Sequence, residues 1–150
     1  MTEVAFYHLT RRTLEEALPE LLAKVLERGW RALVLAGSAE RVAALDTALW
    51  TYAKESFLPH GTSGSGRAGE QPVYLTDREE NPNKAEVLVL VEGGGEAFLA
   101  GFARCLDLFD GNDEGAVAAA RARWAAAKAA GHPLTYWQQG ERGWERKAQA

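Results

Sequence analysis

Apolar and polar positions fall in blocks along this chain, and the spacing within each block changes. VAFYHL (4–9) is short, β-branched and aromatic, which predicts a strand. Thr13 and Glu16 have the spacing of a capping box. Leu14, Leu18, Leu21, Val25 and Leu26 then recur at helical intervals up to Arg28 and Gly29. Pro19 sits inside that pattern, where it either kinks the helix or marks the start of its regular part. WRALVLA (30–36) is a continuous apolar run, as in a strand covered on both faces. A second helix is predicted over 39–55 with the stripe Val42, Leu45, Leu49 and Tyr52, and Pro59 closes the region.

HGTSGSGRAGEQ (60–71) reads as a glycine- and serine-rich loop. VYLT (73–76) and VLVLV (87–91) are predicted strands around a polar turn. After GGG (93–95) a helix is predicted over 96–105, then a fifth strand, CLDLFD (105–110). AVAAARARWAAAKAAG (116–131) is a helix by alanine propensity, ended by Gly131 and Pro133. The tail TYWQQGERGWERKAQA is polar, and about 138–150 is predicted to fray. No internal repeat is present. The alternation of strands and helices predicts one α/β domain over 1–150, with a three-layer, mostly parallel sheet and helices on both faces.

The length, 150 residues, suits one domain, and 47% hydrophobic with 25% charged residues is ordinary for a globular chain. Formal net charge is −4, which argues against bulk binding to duplex DNA. The charge is unevenly spread: residues 77–114 carry ten acids and three bases, residues 116–150 six bases and two acids. One face is therefore expected to receive an anionic partner. Cys105 is the sole cysteine, so neither an intramolecular disulfide nor a cysteine-rich zinc site is available. No apolar run reaches the roughly 20 residues of a membrane span, and MTEVAFYHL does not resemble a signal peptide; a cytoplasmic location is expected.

Motifs for catalysis are missing or misplaced. GSGRAG (64–69) has the G-x-G-x-x-G pattern but follows a loop and precedes a strand, whereas dinucleotide binding needs a strand before it and a helix after. A nucleotide-binding enzyme of Rossmann type using this loop is the alternative reading. His8, His60 and His132 lack metal-ligand spacing, so no metal is expected, nor any cofactor. There is no G-x-S-x-G elbow, and Asp107 and Asp110 cannot be paired into an acid–base couple. No set of nucleophile, base and oxyanion donor assembles, which weighs against an enzyme.

Two clusters remain. In LWTYAKESFLPH (49–60), Trp50 stands about 100° off the stripe of Leu45 and Leu49, with Phe57 beyond it near the helix end. Such a pair is either covered by neighbouring chain or an interface anchor. In the last helix Val117, Arg121, Trp124 and Lys128 share one face. Two cations around an indole suit a carboxylate and an apolar side chain; the plainer reading is a core tryptophan with cations snorkelling outward. Trp137 and Trp144 in the basic tail raise direct single-strand binding as a weaker possibility, given the net negative charge.

FYHL (6–9), LERGWRALVL (26–35), LDTALWTYAKESFLPH (45–60), GEQPVYLT (69–76) and the last helix with Ala130 and Gly131 carry a resemblance. Taken together, the chain resembles the chi-subunit family of bacterial DNA polymerase III holoenzyme over most of its length. The resemblance implies a Rossmann-like fold and a non-catalytic clamp-loader accessory subunit acting in DNA replication. It implies binding to the psi subunit through Trp50 and Phe57. It also implies binding to the acidic, phenylalanine-ended C-terminal tail of the single-stranded-DNA-binding protein through the last helix, where Arg121 and Trp124 match; DNA would be met indirectly. Other members carry lysines where this chain has Val117 and Ala125, so Lys128 and Arg123 are expected to substitute.

Overall fold

A computed structural model describes residues 2–50, 60–62, 68–91, 97–141 and 143–150, with the backbone alone at Trp50 and Ala68. In chain order the elements are β1 (Glu3–Leu9), α1 (Leu14–Glu27), β2 (Ala32–Leu35), α2 (Ala39–Trp50), β3 (Gly61–Thr62), β4 (Val73–Thr76), β5 (Val87–Val91), β6 (Arg104–Asp110), α3 (Glu114–Ala129), β7 (Leu134–Gly140) and β8 (Gly143–Gln149).

The capping box forms as its spacing requires. The Glu16 amide donates to Thr13 Oγ1 and Glu16 Oε1 accepts from the Thr13 amide. The helix starts at Leu14 and runs through Pro19, which is buried. Burial of the ring offsets part of the hydrogen bond that proline cannot donate.

The eight strands form one sheet in the order β3-β4-β2-β5-β6-β1-β7-β8. Every pairing is parallel except β7 with β8. The run Ala32–Leu35 is buried throughout, and its alternate residues enter apolar clusters on the two faces of the sheet. Ala32 and Val34 join a cluster with Leu18 and Leu22 of α1 and Leu45 and Leu49 of α2. Leu33 and Leu35 join a second cluster with Phe6, Phe109 and the α3 alanines Ala120 and Ala127. Each fully buried large side chain contributes about 1.5–3 kcal/mol.

Two expectations fail. Residues 97–105 do not make a helix: a 3-10 turn covers Phe98–Gly101, and the chain is extended from Phe102 into β6. The Thr2 hydroxyl lies 2.9 Å from the Leu99 carbonyl and 2.8 Å from that of Phe102, within reach of either, and the Leu99 carbonyl also accepts from the Phe102 amide. The tail predicted to fray forms β7 and β8, an antiparallel hairpin whose first strand pairs in parallel with β1. Ala150 exchanges backbone hydrogen bonds with Leu134, which ties down the end of the chain.

The connections place the clefts. β1 and β6 are neighbours, yet α1 leaves β1 for one face and α3 leaves β6 for the other. Between them, at the C-terminal ends of the two strands, lies a cleft of about 650 Å³.

Candidate functional site

The candidate docking helix, α3, is held locally at both ends. Asp113 accepts from the amides of Gly115 (2.9 Å) and Ala116 (3.2 Å). At the other end the His132 amide bonds to the Ala127 carbonyl and that of Gly131 to the Lys128 carbonyl. Gly131, with φ of 85°, supplies the left-handed residue this Schellman arrangement needs.

The four residues expected on one face divide into two kinds. Val117 and Trp124 are half-buried against the second cluster, while Arg121 and Lys128 are exposed. Trp124 meets Phe6 edge-on at 5.5 Å and Tyr136 of β7 at 6.0 Å. The indole is therefore partly core and partly surface. Among the described residues, neither Arg121 nor Lys128 forms an ion pair.

Tyr136 extends this site and was not singled out from the sequence. Its hydroxyl is 2.5 Å from His8 Nδ1. Burial pushes its phenol above the ordinary value, and the nearby Arg121 guanidinium pulls the other way. An aromatic floor from Trp124 and Tyr136 thus lies beside a free cation. This arrangement has the chemistry to hold an anionic group next to an apolar one.

Arg123 does not substitute for the missing lysines. Its Nε and Nη2 bond to the two Asp107 oxygens at 2.7 and 2.9 Å, and only 2% of the Asp107 side chain is exposed. A sequence signal existed: Asp107 alternates with Cys105 and Phe109 on a buried strand, so it needs a cationic partner. Cys105 is itself buried, and burial followed by the Asp107 charge pushes its thiol far up, as befits a small hydrophobe.

The aromatic corner is less fully described. Trp50 ends α2; its side chain, and Tyr52 and Phe57 altogether, lie outside the described residues. His60, which closes the motif, is buried with Nε2 2.9 Å from Asp46 Oδ1 of α2. The stripe holds as far as it is described, with Leu45 and Leu49 buried and Val42 packed beside them.

The geometry speaks against the glycine-loop nucleotide reading. Residues 63–67 lie outside the described residues, but the Gly69 carbonyl accepts from Arg31, which precedes β2. Gly69 is therefore at the N-terminal edge of the parallel strands, opposite the edge where such sheets bind ligands. At the C-terminal edge, the amides opening α1 and α3 are already bonded to Thr13 and Asp113. Among the described residues no cluster of His, Cys, Asp and Glu gathers to hold a metal, and no helix is long and apolar enough to cross a membrane.

Comparison with known proteins agrees with the resemblance. A probable DNA polymerase III subunit chi of Rickettsia prowazekii is 31% identical over 91 residues, 61% of this chain and 55% of that one. The chain thus aligns with little more than half the length of that relative. The DNA polymerase III subunit chi of Escherichia coli is 27% identical over 142 residues, 89% of this chain and 96% of that one. The family described as DNA polymerase III chi subunit, HolC, matches residues 1–135. The chain belongs to that family.

Proposed function

We propose that this chain is a non-catalytic bridge in DNA replication, joining the clamp-loader part of the polymerase assembly to the single-stranded-DNA-binding protein. We read its fold as a three-layer, Rossmann-like one, built to hold two docking surfaces apart, and its location as the cytoplasm. The observation that carries the reading is the α3 face. Arg121 and Lys128 are exposed and, among the described residues, without ion pairs, beside the half-buried Trp124 and Tyr136. A C-terminal tail with an acidic run and a final phenylalanine offers carboxylates to the cations and a ring to the aromatic floor. The charged part of that contact weakens with salt. The ring supplies a salt-resistant part, about 1.5–3 kcal/mol if fully buried. The second surface uses Trp50 and Phe57 for the psi subunit, on the strength of the matching ALW and ESFLPH motifs.

Titration calorimetry with a peptide ending in acidic residues and phenylalanine tests the first surface. Arg121→Ala is expected to weaken binding several-fold and leave the melting temperature unchanged; equal affinity would remove Arg121 from the site. Trp50→Ala is expected to keep the peptide affinity and lose psi in a pull-down. Retention of psi would place that surface elsewhere.

A further inference from the structure

The sheet face opposite the Trp124 site carries a groove that the proposed function does not use. α1 leaves the β1–β7–β8 end of this face partly open, and a space of about 290 Å³ lies between the helix and the strands. Lys24 of α1 and Arg28, the residue that caps its C-terminal end, form one wall, and Tyr7 and Trp137 stand on the strands. Trp30 closes one end, with the guanidinium carbons of Arg28 and Arg104 at 5.4 and 4.6 Å from its ring centre.

The groove is basic although the chain as a whole is acidic. Its lining holds three cations, Lys24, Arg28 and Arg104, and one carboxylate, Glu3, which bonds to Arg104 at 2.6 Å. The chain as a whole is at −4. Arg146 lies opposite Trp137 in the β7–β8 register and so adds a further cation to the same side. The indoles are held rather than loose. Trp137 Nε1 donates to Thr135 Oγ1 at 3.1 Å, and Trp144 stands edge-on against Tyr7 at 4.9 Å, behind the open rings. Trp30 and Trp137 are both half-buried and both line the groove.

We propose that this groove binds a short run of single-stranded nucleic acid, with bases stacking on Trp137 and the Trp30–arginine group and phosphates meeting Lys24, Arg28 and Arg146. Interleaved aromatic rings and cations are the pattern that single strands use, because every base has a stacking face and every phosphate a charge. An acidic run without an aromatic residue would satisfy the cations but leave the two indoles unmatched, and a tail with a single terminal ring would match only one of them. A duplex buries its base faces and gains nothing from the rings. The reading goes beyond the bridging role, since it puts direct contact with the strand on the face opposite the tail site.

Fluorescence anisotropy with a labelled oligothymidylate of about 15 nucleotides, using the full chain at low salt, tests the proposal. The exposed charge-reversal pair Lys24→Glu and Arg28→Glu is expected to weaken binding at least about tenfold. It also makes the log–log salt dependence shallower by about 1.4, from two phosphate contacts at roughly 0.7 each. Trp137→Ala is expected to weaken it roughly 5- to 150-fold without changing that slope, and Trp137→Phe to recover most of the loss. Arg121→Ala, on the other face, leaves it unchanged. Three results would overturn the proposal: no binding by the parent chain, variants that bind like the parent, or polyglutamate displacing the strand while Trp137→Ala has no effect. The last would make the groove a site for acidic peptides. Failure here leaves the calorimetric test of the α3 face untouched.

Discussion

α1 and α3 are nearly equal in length, 14 and 16 residues, yet they are held in opposite ways. α1 buries Leu14, Ala17, Leu18, Pro19, Leu21, Leu22 and Val25. α3 buries only Ala120 and Ala127, and nine of its sixteen residues are alanine, which costs almost nothing to make helical. The first helix exists because the sheet needs covering. The second exists because its own residues favour it, its ends are capped, and one buried ion pair pins it to β6. A helix fixed by packing commits one whole flank to the sheet and keeps only its polar edge, Lys24 included, for a partner. A helix fixed by propensity and caps can lend a whole flank to a partner, and that flank carries Arg121 and Lys128.

The sharpest way to break this comparison is at the ion pair. Arg123→Ala leaves the Asp107 carboxylate buried without its cation, and the expected loss is about 3–5 kcal/mol in urea unfolding. The double change Arg123→Met with Asp107→Leu is expected to recover most of it, because both charges then go. If Arg123→Ala costs under about 1 kcal/mol, α3 is held by something else. For α1 the matching change is Leu22→Ala, at a site with no exposure. It is expected to cost about 2–5 kcal/mol with no rescue by a second change, since the loss is spread over a packed cluster.

The two helices were also unequally legible. Leucine spacing and the Thr13–Glu16 pair announce α1, and the alanine run announces α3. Short valine-containing runs of strand-forming residues announce β4 and β5, which appear over the residues predicted. The hairpin β7–β8 was missed because it is an edge: most of its residues are half-buried or exposed, so no strict alternation marks it. Its signal was the turn instead. Gly140 and Gly143 pair across two residues, the spacing of a tight hairpin. The helix expected over 96–105 stops after one 3-10 turn because the chain from Arg104 onward pairs with β5 and with β1, a strand far away in sequence. At the site, the shared face of Arg121, Trp124 and Lys128 followed from helical period alone. That Arg123 turns inward depended on Asp107 of another element, and Tyr136 depended on β7 lying beside α3; local pattern carries neither.

The smallest expected effects separate the helices most finely, because they act on the caps. Asp113→Ala removes the side chain bonded to the Gly115 and Ala116 amides and is expected to cost about 1 kcal/mol. In α3 little packing stands behind that cap, so hydrogen exchange at those two amides should quicken well before the rest of the protein opens. In α1 the corresponding perturbation is acid. Glu16 is held below the usual carboxylate range by its hydrogen bonds to the Thr13 backbone and side chain. Its folded value lies under its unfolded one, so its contribution is present above the unfolded value and fades as pH falls through the folded one. Acidification should therefore loosen the Thr13–Glu16 turn. Protection from Leu18 onward should persist to the pH of global unfolding, because the leucines hold those turns against the sheet. If the whole of α1 frays in step with Glu16, the helix owes its place to the cap after all, and the contrast with α3 collapses.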